Sequence, residues 1–242
     1  MKYFKLLSIF IILILSGCFP AKSYFHGRPD KKDIERFPSH KIQASDNCFT
    51  FEKSEKDYGD IIKFNDWTTD LPRFHTLNQF VKEHNVRSFM LIQNDSIKFE
   101  YYDEKLNPNS LHTSYSVAKT FTSTLIGMAI EDGLIDSEQD LVSKYIPEWE
   151  IPELGKTLNI EHLLNQTSGI KFTWKQDAHI YYGNDISKAI PEIKFENKPG
   201  TEQHYLNMTY QLLGIILERI TGKSVSEYLQ EKIWQPIGMC SD

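Results

Sequence analysis

Two polar side chains three positions apart, Ser116 and Lys119, carry the most reactive chemistry in this chain. On a helix that spacing puts them on one face, close enough to touch. A serine hydroxyl is a poor nucleophile until a base takes its proton, and a lysine serves as that base only where burial depresses its pKa. The run that follows is apolar, through Leu125, Ile126, Met128, Ala129 and Ile130 to Gly133, which is the setting such a lysine needs. The same two residue types recur in Ser168-Gly169-Ile170-Lys171, but Gly169 and the following Phe172-Thr173-Trp174 break any helical period, so that copy reads as a loop. On this context alone, Ser116 serves equally as a nucleophile or as a helix-capping serine.

The elements that must position this pair are legible in outline. Upstream, Ser88–Gln93 and Ser96–Tyr102 flank Asn94-Asp95, a hairpin signal, and Leu77 to His84 reads as a short helix stopped at Asn85. A crossing loop then leads into a helix with Ser116 in or just before its first turn. Downstream the chain becomes mostly helical, with short helices at Asp140–Ile146 and Ile160–Leu164. Trp174 to Tyr182 reads as an aromatic loop that either lines a pocket or buries its own rings. Pro199-Gly200 is a turn, and Tyr210 through Ile220 form a buried helix closed by Gly222. Ser224 and Glu227 have the spacing of a capping box, opening a helix that runs toward Pro236.

Composition excludes several classes. The 242 residues include 40% hydrophobic and 13% aromatic side chains, as a globular protein requires. The formal net charge is −6, and removing Lys2 and Lys5 takes it to −8, which argues against a nucleic-acid partner. The eight histidines are scattered without metal-ligand spacing, so neither a metal nor another cofactor is expected. Lys2 and Lys5 precede an apolar run from Leu6 to Leu15, too short for a stable membrane span, and then Leu15-Ser16-Gly17-Cys18. This resembles the lipobox of bacterial lipoproteins, which implies a signal peptide over residues 1–17 and lipidation at Cys18; the alternative is an ordinary secretory signal with an incidental thiol. Residues 18–70 read as a tether and N-terminal extension, packing on the body through Phe49, Phe51, Trp67 and Leu71. Cys48 and Cys240 could pair in an oxidising compartment, but their spacing does not decide it.

Taken together, Ser116-Val117-Ala118-Lys119, Leu163-Leu164-Asn165-Gln166-Thr167-Ser168-Gly169, Tyr205-Leu206-Asn207 and Pro236-Ile237-Gly238-Met239 resemble the serine β-lactamase and penicillin-binding-protein-like hydrolases. The resemblance lies on the branch of class C β-lactamases, esterases and 6-aminohexanoate-dimer hydrolases. It implies an α+β, β-lactamase/DD-peptidase-like fold over residues 71–242, with an antiparallel sheet flanked by helices plus a mostly helical region. It also implies roles: Ser116 as the acylated nucleophile, Lys119 as its proton acceptor, Tyr205 as the phenol that passes the proton onward, and Asn207 as the residue that orients substrate and Lys119. Tyr182, in the second Tyr-x-Asn match Tyr182-Gly183-Asn184, is expected to line the substrate cleft rather than to form the core motif.

Two departures from the family pattern stand out. Gln166 occupies the place of a histidine common among relatives, for which a structural role is expected. The family's third motif, a Lys/His-x-Gly on a late strand, does not occur by Met239, so the C-terminal strands of the sheet are expected to be missing and the hairpin to show an apolar edge. Because that strand supplies one of two oxyanion donors, an impaired hydrolase is expected. The resulting expectation is a lipid-anchored envelope serine hydrolase, facing the periplasm or exterior, acting on ester, amide or β-lactam bonds of a small or peptide-like substrate. The competing reading is a non-catalytic envelope lipoprotein that keeps the hydrolase body as a binding module.

Overall fold

A computed structural model of the protein describes residue 30 and residues 33–66, 73–183 and 185–242. The signal peptide, Cys18, Trp67 and Leu71 lie outside the described residues. Contacts divide the chain into two compact units, one of residues 1–42 and 113–233, the other of residues 43–112 and 234–242. A single helical turn, α1 (Asp33–Arg36), belongs to the first.

The second unit is a small sheet module. Strand β1 (Glu52–Lys53) pairs in parallel with β5 (Ser96–Tyr102), which pairs antiparallel with β4 (Ser88–Gln93). A separate two-stranded ribbon joins β2 (Lys63–Asp66) to β3 (Arg73–Thr76). Chain flow from β3 into α2 (Leu77–Glu83) is fixed by a capping box, in which Thr76 accepts from the amide of Gln79 and the Gln79 side chain accepts from the amide of Thr76. The hairpin turn falls where the sequence places it. Asn94 and Asp95 both take left-handed backbone, at φ 51° and 53°, as a two-residue turn matching strand twist requires. Leu77, Val81 and Phe99 form the core, with Phe64, Phe80, Phe89 and Leu91 packed around them.

Two sequence expectations need correcting here. The sheet is not wholly antiparallel, since β1 adds a parallel strand. Nor do Phe49 and Phe51 anchor the N-terminal extension: both are exposed and pack edge-on against each other, because the segment around them is tied to the chain's end instead. There Cys48 and Cys240 form a disulfide, and backbone bonds join Ser45 to Met239 and Phe49 to Gly238.

The first unit is helical. It comprises α3 (Ala118–Glu131), α4 (Val142–Tyr145), α5 (Ile160–Leu164), α6 (Trp174–Tyr182), α7 (Asn207–Thr221) and α8 (Val225–Leu229), with a π-helical turn at Gln230–Trp234. Helix α7 is the hub, against which α3, α5, α6 and α8 all pack. Its apolar stripe, Leu212, Leu213, Ile216 and Leu217, is fully buried with Leu125 and Ile126 of α3 and Leu163 of α5. Gly222 closes α7 in left-handed backbone, and Ser224 opens α8 with the capping box expected from Glu227. Helix α6 replaces the expected aromatic loop. Thr173 caps it by accepting from the amide of Gln176, and the rings of Tyr181 and Tyr182 are packed by Phe37. Among the described residues, no helix is long and apolar enough to cross a membrane, and no group of three or more His, Cys, Asp or Glu side chains is placed to hold a metal ion.

Candidate active site

Ser116 sits in a 3-10 turn, Tyr115–Val117, that runs directly into α3, so Lys119 falls in the helix's first turn. Tyr115 takes φ 46°, a left-handed conformation rare for a bulky residue, and such strain is tolerated only where surrounding structure enforces it. Ser116 is left exposed to solvent and Lys119 is half-buried. Tyr205 and Asn207 come from the other side of the packed helix pair, at the opening of α7.

The polar tips converge. Lys119 Nζ donates to Ser116 Oγ at 3.1 Å and to Asn207 Oδ1 at 2.9 Å. The ammonium also lies 5.0 Å from the centre of the Tyr205 ring and 5.8 Å from that of Tyr210. The phenol of Tyr205 is held below the usual tyrosine range chiefly by hydrogen bonding to Ser116, which burial opposes and the hydrogen bond and positive charge of Lys119 reinforce. Burial acts the other way on Tyr210, whose phenol is pushed up. Lys119 therefore does not stand in the dry apolar environment expected of it. What surrounds it is a hydroxyl, an amide oxygen and two aromatic faces.

The loop Asn165–Ile170 ties this arrangement together. Gln166 is buried at φ 60°, and its Oε1 accepts from the amide of Leu206 at 2.8 Å and from the Thr209 hydroxyl at 3.0 Å. Its backbone carbonyl accepts from the amide of His204 at 2.9 Å. Gly169, at φ 69°, accepts from the amides of Glu196 and Asn197, and a Cβ there would lie 2.1 Å from the Asn197 carbonyl oxygen, which only glycine avoids. Ser168 of the second Ser-x-x-Lys match is buried in this loop, where its hydroxyl accepts from the amide of Ile170.

Of the residues singled out from sequence, Ser116, Lys119, Tyr205 and Asn207 are brought together. Tyr182 is buried, with its ring packed against Phe37 and Tyr181. Sequence reasoning missed Asp177, whose Oδ1 accepts from Asn207 Nδ2 at 3.4 Å, and Tyr210 beneath the ammonium. Asp177 was legible in principle: Thr173 and Gln176 have the spacing of a helix start, which would have turned the loop into α6 and set Asp177 on a defined face.

Comparison with known proteins places the chain among relatives of known family. Protein flp of Staphylococcus aureus (strain MW2) is 30% identical over 162 residues, covering 64% of this chain and 32% of the relative. A candidate D-alanyl-D-alanine carboxypeptidase of Escherichia coli (strain K12) is 33% identical over 112 residues, covering 41% of this chain and 26% of the relative. This chain thus spans about a third of the length of the curated relatives it matches. Among solved structures, a candidate 6-aminohexanoate-dimer hydrolase from Bacillus anthracis shares the fold with a TM-score of 0.75 at 22% identity, over 87% of this chain and 59% of that one. The family model described as Beta-lactamase matches residues 77–241, and the chain belongs to that family of serine hydrolases and peptidases.

Proposed function

We propose that this protein is a serine hydrolase that works through an acyl-enzyme, with Ser116 as nucleophile. One observation carries the reading: Ser116 Oγ and Asn207 Oδ1 both accept from the single ammonium of Lys119, beside a phenol whose pKa is lowered. The hydroxyl of Ser116 and the ammonium of Lys119 both favour the phenolate form of Tyr205. The phenolate of Tyr205 takes the proton of Ser116, whose Oγ bonds to the substrate carbonyl carbon and forms a tetrahedral adduct. Collapse of that adduct breaks the bond to the leaving group, which receives the proton back through Tyr205. Water then attacks the ester of the acyl-enzyme while Tyr205 accepts its proton; collapse of this second adduct breaks the bond to Ser116 Oγ, which takes that proton back from Tyr205 as the acid product leaves. Asn207 holds Lys119 and offers its amide to the substrate.

The substrate class follows from the chemistry rather than from shape: a small or peptide-like ester, amide or β-lactam. Lipidation at Cys18 and a place at the cell envelope belong to the same proposal, and a lipid-mimetic label that reaches the wild type but not Cys18→Ala tests them. The competing reading, a non-catalytic binding module, gains no support from the Ser116 hydroxyl meeting the Lys119 ammonium and the Tyr205 phenol, with Asn207 holding the ammonium.

The decisive experiment is covalent labelling. A fluorophosphonate or fluorescent penicillin probe should add to Ser116, seen by intact mass and peptide mapping, and Ser116→Ala should abolish the adduct. No adduct at Ser116 with either probe removes the hydrolase reading. A panel of p-nitrophenyl esters, nitrocefin and short amide dimers then separates the substrate classes.

A further inference from the structure

We propose that Asp177 is a positioning residue of the site, selecting which end of the Asn207 amide faces Lys119. The inference rests on the reading of Ser116 as nucleophile. An ammonium offers only donors, so it needs the oxygen end of an amide; a carboxylate offers only acceptors, so it needs the nitrogen end. Asn207 lies between one of each, with Oδ1 2.9 Å from Lys119 Nζ and Nδ2 3.4 Å from Asp177 Oδ1. Turning the amide over would set donor against donor on one side and acceptor against acceptor on the other. Both neighbours therefore favour the same orientation. At 3.4 Å the Asp177 contact is long for a hydrogen bond, so its weight comes from charge and from excluding the flipped amide.

The fold holds Asp177 to this task. It is half-buried in the first turn of α6, and α6 packs on α7, the helix that Asn207 opens. Tyr181, four residues on and so on the same face, donates to the Asp33 carboxylate at 2.9 Å. Asp33 is 4% exposed and also accepts from the amide of Asp30 at 2.8 Å. Phe37 packs edge-on against Tyr181. The rotational setting of α6, and with it the reach of Asp177, is thus fixed by a turn of chain that lies 140 or more positions upstream. With Asp177 lost, only Lys119 still favours the oxygen end, so the flipped amide becomes more populated and the ammonium loses the Asn207 acceptor for that share of the time.

The test compares the full chain with Asp177→Asn, which keeps the shape but offers either end, and with Asp177→Glu, which keeps an acceptor-only group. Asp177→Asn should slow acylation of Ser116 by a fluorophosphonate about 10- to 100-fold, with the probe's saturation constant and the Tm unchanged. Asp177→Glu should recover part of that rate. In protein labelled with 15N at asparagine, the side-chain NH2 pair of Asn207, identified by its loss in Asn207→Asp, should shift and exchange faster in Asp177→Asn. An unchanged rate overturns the inference, and so does a slowed rate with the Asn207 signals unmoved. If the wild type does not label at all, the hydrolase reading fails by itself, and the Asn207 signals alone decide whether Asp177 sets the amide.

Discussion

Gln166 Oε1 lies 2.8 Å from the backbone nitrogen of Leu206, joining a left-handed loop residue to the position between Tyr205 and Asn207. One side-chain oxygen thereby serves the orphan amide at the opening of α7 and the Thr209 hydroxyl in its first turn. The expected structural role for this position is what the geometry gives, and it reaches the site because its partner is the motif's middle residue. Gln166→Leu removes the acceptor and leaves the buried Leu206 amide unsatisfied, while the Thr209 hydroxyl keeps the Leu206 carbonyl at 2.8 Å. It should cost about 1–3 kcal/mol of unfolding free energy by urea titration and should slow acylation as Tyr205 shifts. Unchanged stability would show that water replaces the side-chain oxygen without penalty.

A second prediction concerns pH. Hydrogen bonding to Ser116 and the nearby Lys119 ammonium lower the Tyr205 pKa from its ordinary value of 10.0. The phenolate of Tyr205 thus appears at lower pH than a free tyrosine allows, so the acylation rate should climb with pH along a limb centred below 10.0. The folded pKa is depressed, so the matching stability contribution is present above the unfolded value and is lost as pH falls through the folded one. Tyr205→Phe should flatten the limb. A limb that survives this substitution assigns the titration to another group.

What the sequence made legible divides along the range of the interactions. Ser116, Lys119, Tyr205 and Asn207 lie in two short motifs, and each motif's spacing is read locally. The same holds for Asn94-Asp95, Gly222 and the box at Ser224, where one or two residues decide the backbone. Helix α6 was hidden because Trp174–Tyr182 carries no clean apolar stripe and its rings are packed by Phe37, from far upstream. Strand β1 consists of two exposed charged residues, Glu52 and Lys53, which carry no strand signal at all. The helix that carries Asp177 was legible from Thr173 and Gln176, but its contact with Asn207, 30 positions away, needed the tertiary fold.

A third prediction follows from the link between Cys48 and Cys240, 192 positions apart. Both cysteines belong to the sheet unit, where the chain's last residues bond to the segment around Ser45 and Phe49. A cross-link over so long a loop restricts the unfolded chain strongly, and removing one of this kind typically costs about 2–5 kcal/mol. Cys48→Ala, or addition of dithiothreitol, should lower the Tm of this unit and raise proteolysis near the C-terminus. Equal Tm with and without reductant would mean that the terminal hydrogen bonds suffice.

The last prediction concerns β4. Among the described residues it is the outer strand of its sheet, with Met90 44% and Ile92 39% exposed on one face. Its inner face, Phe89 and Leu91, is half-buried against the sheet unit's core, so the strand alternates as a one-sided sheet should, but its solvent face carries apolar side chains rather than polar ones. An outer strand with unpaired backbone groups and apolar side chains is a template for pairing with another chain. The purified protein should therefore self-associate with rising concentration, and Ile92→Lys should suppress this in light scattering while leaving the Tm nearly unchanged, because the side chain is already in water. If the lysine variant associates as readily as the wild type, the sticky surface lies elsewhere.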